Sequence, residues 1–198
     1  VLGSAAHAGC KIILKIHASL TCNFLQSTSK NLKFAPNFNV TDMQTTMNFP
    51  NIFTKEVSDG IVDRINKLSF NTKPLWGKMT VEQMLAHCSV TYEMIYENKH
   101  AKPGFLMKIV LNAFVKKTVV GMAPYRKNSQ TAPAFLIKDS RNFEIEKKRL
   151  IQYIQKTQQL GEKEFNQKES HSFGKLSADE WNTMFYKHLD HHLSQFGA

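Results

Sequence analysis

The residues best suited to chemistry lie near the end of the chain, where His188 and His192 stand four apart with His191 beside them. On a helix, an i, i+4 pair puts both imidazoles on one face, close enough to grip a single ion. Taking about 100° per residue from Trp181, Phe185 falls near 40°, His188 near 340°, His192 near 20° and Phe196 near 60°. The two rings therefore sit within an apolar stripe, with His191 at its edge. Burying neutral imidazoles is costly unless each nitrogen finds a partner, and a metal supplies one to every ring. A third ligand is expected from His87, which points away from Glu82, Ala86, Ser89 and Glu93, the expected solvent side of an earlier helix. Three nitrogens leave coordination positions open for water or substrate. All-imidazole coordination suits zinc, nickel or iron. The competing readings are core hydrogen bonding and, for a protonated ring, favourable interaction with the helix C-terminus.

Positioning these rings requires helices, and the pattern is helical. Val57, Ile61, Ile65 and Leu68 mark one face of a first helix, closed by Asn71 and Pro74. A second begins at the capping box Thr80–Gln83 and continues its apolar face through Met84, Leu85, Cys88, Tyr92 and Ile95. A third runs from about Asp139 to Leu160, with Phe143, Leu150, Ile151 and Ile154 as its stripe and Gly161 as its stop. The last starts at a second capping box, Ser177–Glu180, and reaches about Phe196. Between the second and third, residues 105–120 predict a further short helix anchored by Leu106, Val110, Phe114 and Val119. The stretch 121–138 predicts an ordered crossing loop. No strand alternation stands out. The expected class is all-α: four main helices with one long connection.

Composition fits a single domain: 198 residues, 42% hydrophobic, with no window long and apolar enough to span a membrane. The net charge of +10 raises nucleic acid as a partner. However, the positive charge is mostly Lys, with acids interleaved as in Glu144-Ile145-Glu146-Lys147, which favours a solvated surface. Three cysteines without a CxxC pair provide neither a disulfide framework nor a thiolate zinc site, so a reducing cytoplasmic setting is expected. Residues 1–46 read as a weakly ordered or non-native extension, with the working domain over 47–198 starting near Met43 or Met47. The other histidines predict less: His171 lies in a loop, as a surface residue or at a pocket mouth, and His7, His17 and His100 have no visible partner. Cys88 and Trp181 read as buried structural residues.

The run Lys78-Met79-Thr80-Val81-Glu82-Gln83-Met84-Leu85-Ala86-His87-Cys88, paired with His188-Leu189-Asp190-His191-His192-Leu193-Ser194-Gln195-Phe196, resembles the DinB/YfiT-like superfamily of metalloenzymes, and more closely a domain-of-unknown-function branch of it. The segment His171-Ser172-Phe173-Gly174-Lys175-Leu176, followed by Glu180-Trp181, is similar to the stretch before the last helix there. The likeness spans roughly residues 49–196. It implies an up-down-down-up four-helix bundle, with an extra short helix in the long second-to-third connection. The implied ligands of a divalent ion are His87, His188 and His192. Gln195 falls where many relatives also carry Gln, whereas Leu193-Ser194 replace their usual Arg-Gly. Some relatives use low-molecular-weight thiols, so thiol transfer joins metal-assisted hydrolysis as an expected reaction on a small-molecule substrate. For hydrolysis, no base is evident: Glu93 is expected on a solvent face and Asp190 points away from the pair. A closed, metal-stabilised interaction module is the non-enzymatic alternative. No membrane partner is expected, and a homodimer is the commonest assembly for domains of this kind.

Overall fold

The computed structural model describes residues 49–97 and 99–198. The expected N-terminal extension, its boundary near Met43 or Met47, and His7 and His17 lie outside the described residues. The described residues are mostly helical, about 59% of them, with little strand. Four longer helices share one core: α1 (Lys55–Asn66), α2 (Val81–Tyr96), α5 (Phe143–Phe165) and α6 (Ala178–Gln195).

Capping sets where these helices begin. The Thr54 hydroxyl accepts from the Val57 amide at the start of α1. At α2 the Gln83 amide donates to Thr80 Oγ1, and the Thr80 amide donates to Gln83 Oε1 at 3.1 Å. Ser177 and Glu180 repeat that reciprocal arrangement at α6. Each box satisfies two amides that the helix itself leaves unpaired. The Asn142 side chain caps α5 by accepting from the Ile145 amide alone, without a reciprocal bond, and that helix starts four residues later than the apolar periodicity indicates. Gly161 breaks the regular geometry with φ +73°, but one further turn carries α5 to Phe165. The expected stop is thus a kink.

Helix α2 differs most from expectation. All ten residues from Met84 to Glu93 are buried, including Ala86, Ser89 and Glu93, which had been expected to face solvent. Ala86 and Ser89 are small enough for neighbouring helices to close over them, and the Ser89 hydroxyl is satisfied by the Leu85 carbonyl at 2.9 Å. Glu93 is paired with Arg149 of α5 and with His100 at 2.8 Å, which gives His100 the partner that sequence did not reveal. A buried carboxylate needs such pairing to remain charged.

The core centres on aromatic rings of α5 and α6. Trp181 and Phe185 stack at 5.5 Å, and Phe165 meets both edge-on at 5.6 and 5.5 Å. Trp181 and Cys88 are each 1% exposed, as structural residues should be. At the N-terminal side, Asn182 Oδ1 accepts from the Ile52 amide at 2.7 Å and ties the start of the described chain to α6. At the other end of α6, Arg64 of α1 donates to Asp190 at 2.7 Å and to the Ala198 carbonyl.

Two features lie outside this core. A short antiparallel hairpin, β1 (Lys168–Ser170) with β2 (Gly174–Leu176), pairs Lys168 with Leu176 and precedes α6. Its three-residue strands are too short to show alternation. The α2–α5 connection holds α3 (Phe105–Val110), a π-helical turn (Leu111–Val115) and α4 (Lys116–Val120), followed by a loop with one 3₁₀ turn. The expected helix is present, but three of its four expected anchors are exposed, Leu106, Val110 and Phe114 at 76%, 48% and 78%, while Val119 is half-buried. What fixes its end is Lys187 of α6, whose buried ammonium donates to the carbonyls of Thr118, Gly121 and Ala123.

Candidate metal centre

His87 lies mid-way along α2, and His188 and His192 lie one turn apart on α6. Where the two helices face each other, one ligand nitrogen from each ring falls within 4.8 Å of the others. The ring centroids are 4.4 Å apart for His87 and His192, 4.9 Å for His188 and His192, and 5.0 Å for His87 and His188. His87 Nε2 and His188 Nε2 approach to 3.0 Å. The three histidines expected to converge therefore do so, and the cluster can bind a metal ion.

The hydrogen bonds behind the rings decide what they present to one another. His87 Nδ1 lies 2.9 Å from the Phe135 carbonyl, which only accepts, so Nδ1 carries the proton and Nε2 carries a lone pair. Gln195 Nε2 donates to the Trp76 carbonyl at 2.7 Å, which turns Gln195 Oε1 toward His192 Nδ1 at 2.9 Å. His192 Nδ1 therefore donates, and its Nε2 is also a lone-pair nitrogen. The His188 Nδ1 contact is to Thr91 Oγ1 at 3.1 Å, and a hydroxyl can accept or donate. Two lone pairs are fixed by their backing groups and a third is free to join them. This is the arrangement by which outer partners orient imidazoles for a cation.

Burial keeps the rings neutral. It lowers the pKa of His87, although the Phe135 carbonyl pulls the other way. Burial lowers His188 well below the usual histidine range, reinforced by the proximity of His192 and His87. His192 is brought down to about 3, again chiefly by burial. Three neutral imidazoles suit a divalent ion and disfavour the alternative of a protonated ring interacting with the helix end.

No family model, curated protein or solved structure matches this chain. Its chemistry has to be read from its own geometry.

The centre opens onto a cleft of about 1540 Å³ whose walls come from α2, α6, the hairpin and the α2–α5 connection. His191 is outside the triad, half-buried, with Trp76 and Tyr125 rings at 6.0 and 5.6 Å; burial lowers its pKa too. His171, in the hairpin turn, lines the cleft and is held by Ser172 Oγ at 3.0 Å and the His100 carbonyl at 3.3 Å. Gln195 contacts His192 directly, through its Oε1 at Nδ1. Asp190 is turned to Arg64, and Glu93 to Arg149 and His100, so neither faces the centre.

Several contributors had no assigned role at the level of sequence. Thr91, one turn beyond His87, could have been found from its i+4 spacing. The Phe135 and Trp76 carbonyls carry no residue-type signal. Gly77 has φ +84°, and a Cβ there would come within 2.5 Å of Gln195 Nε2. A glycine is what lets the Trp76 turn approach Gln195 so closely.

Proposed function

We propose that this chain is a metal-dependent enzyme of the DinB/YfiT-like kind, a four-helix bundle that holds one divalent ion through His87, His188 and His192. The single observation that carries the reading is the backing of the rings: the Phe135 carbonyl and Gln195 Oε1 accept hydrogen bonds from Nδ1 of His87 and of His192. That leaves two Nε2 lone pairs in a buried cluster which a cation would satisfy. Zinc, nickel and iron all suit three imidazoles. Such an ion supplies Lewis acidity toward a thiol or a water.

The cleft favours thiol transfer over hydrolysis. Among the described residues, its walls carry no Asp or Glu to serve as a general base for water. A thiol needs less help, because its own pKa of about 8.5 lies far below that of water. His191, neutral and beside the triad, would meet an incoming small molecule as an uncharged imidazole. Met94, Met107, Leu111 and Phe135 give the cleft an apolar lining beside the rings. The closed, purely structural alternative is disfavoured because the cluster has three protein ligands and an open side.

Cobalt(II) loading tests the reaction class. Addition of glutathione to the cobalt-loaded protein is expected to produce a near-ultraviolet thiolate-to-metal band that is absent from His188→Ala/His192→Ala. A cobalt-loaded protein whose spectrum ignores the thiol would return the reading to hydrolysis.

A further inference from the structure

The connection between α2 and α5 has a composition unlike the rest of the chain. Between Lys99 and Lys138 there are seven lysines, one arginine and no acidic residue, while the whole chain carries only +10. Across residues 101–142 no residue is buried. Yet large apolar side chains stand out from it, with Phe105, Leu106 and Phe114 between 76% and 78% exposed and Ile109 52% exposed.

Four of the exposed groups share a direction. At about 100° per residue, Phe105, Ile109, Leu106 and Val110 fall within about 140° of arc. Met107, Leu111 and Phe114 fall outside it and line the cleft. One side of α3 therefore faces inward, and the other presents apolar groups to the outside. Lys102 precedes that outward face and Lys117 follows it at the rim of the cleft, both exposed. Lys187 pins the far end of α4 against α6, so the face is held in place.

We propose that this face docks on an anionic lipid membrane, lying in the interface with its apolar groups inserted and Lys102 and Lys117 at the headgroups. An apolar arc flanked by lysines is the pattern of interfacial helices, whose binding combines buried apolar area with attraction to anionic lipid. Lysine stems reach from an apolar layer to the charged headgroups. The charge argues against a second copy as the occupant, because two such faces would bring like charges together. It also argues against nucleic acid, since the outermost groups are apolar and the segment has one arginine. The proposal departs from the expectation of no membrane partner, which rested on spanning length. Among the described residues no helix is long and apolar enough to cross a bilayer, but lying on one needs no such length.

Vesicle flotation of the full chain tests this, comparing phosphatidylcholine vesicles with vesicles containing about 30% phosphatidylglycerol at roughly 100 mM salt. Binding is expected to be about tenfold stronger to the anionic vesicles and to weaken as salt rises. Both Phe105→Ser/Ile109→Ser/Val110→Ser and Lys102→Glu/Lys117→Glu are expected to lose it while keeping the wild-type melting temperature. Equal binding to the two vesicle types, or binding retained by either variant, would overturn the proposal. So would a dimer in sedimentation velocity that the serine variant disperses, since a second copy would then cover the face. Unfolding of the serine variant would also refute it, by showing that the fold itself needs those side chains.

Discussion

Helix α2 and the connection that follows it differ sharply in how they treat apolar residues. Ten consecutive residues of α2 are buried, polar ones included, whereas residues 101–142 contain no buried residue although they are rich in Phe, Leu, Ile and Val. The metal-ligand candidates come from the first kind of structure, on α2 and α6, while much of the cleft wall comes from the second. Rigid helices fix the relative positions of three rings. A loosely packed wall can accommodate a substrate without disturbing them.

The largest expected effect sharpens that contrast in stability. Phe185→Ala, in the stacked core, should cost about 3–5 kcal/mol in denaturant unfolding. Acid should act next, and specifically on the ring cluster. The His192 pKa of about 3 lies below the unfolded value, so its contribution is complete above pH ~6.5 and is lost as pH falls through that value toward 3. For metal-free protein this amounts to roughly 2 kcal/mol between pH 7 and pH 5 from His192 alone. Urea midpoints at the two pH values measure it, and a His192→Phe variant should show a shallower decline. Gln195→Leu removes the acceptor behind His192 and should weaken metal affinity about 10- to 100-fold in competition with a chromophoric chelator. Ile109→Ser, on the outward face of the connection, should change stability by no more than about 0.5 kcal/mol. A large loss there would erase the difference between the two regions.

The same contrast governs what could be read from sequence. Helices with capping boxes and a buried stripe, α2 and α6 above all, announce themselves through Thr80, Gln83, Ser177 and Glu180. His188 and His192 could be placed by rotation because a regular helix fixes the angle between them. His87 was assigned inward through a solvent face that does not exist: Ala86, Ser89 and Glu93 are all buried. Periodicity distinguishes two sides of a helix, but α2 is enclosed on nearly all of them. In the connection the failure runs the other way, since Leu106, Val110 and Phe114 look like anchors and are exposed. Residue type reports hydrophobicity without reporting whether the chain folds back to cover it. The groups that set the ring tautomers were the hardest to foresee, because the Phe135 and Trp76 carbonyls belong to no residue type.

Metal content measures the central claim directly. The full chain, dialysed against zinc and then against metal-free buffer, should retain close to one equivalent by elemental analysis. His188→Ala/His192→Ala, with its fold verified by circular dichroism, should retain almost none. An equal equivalent in the variant, or a folded wild-type protein that holds no ion after this loading, would contradict it.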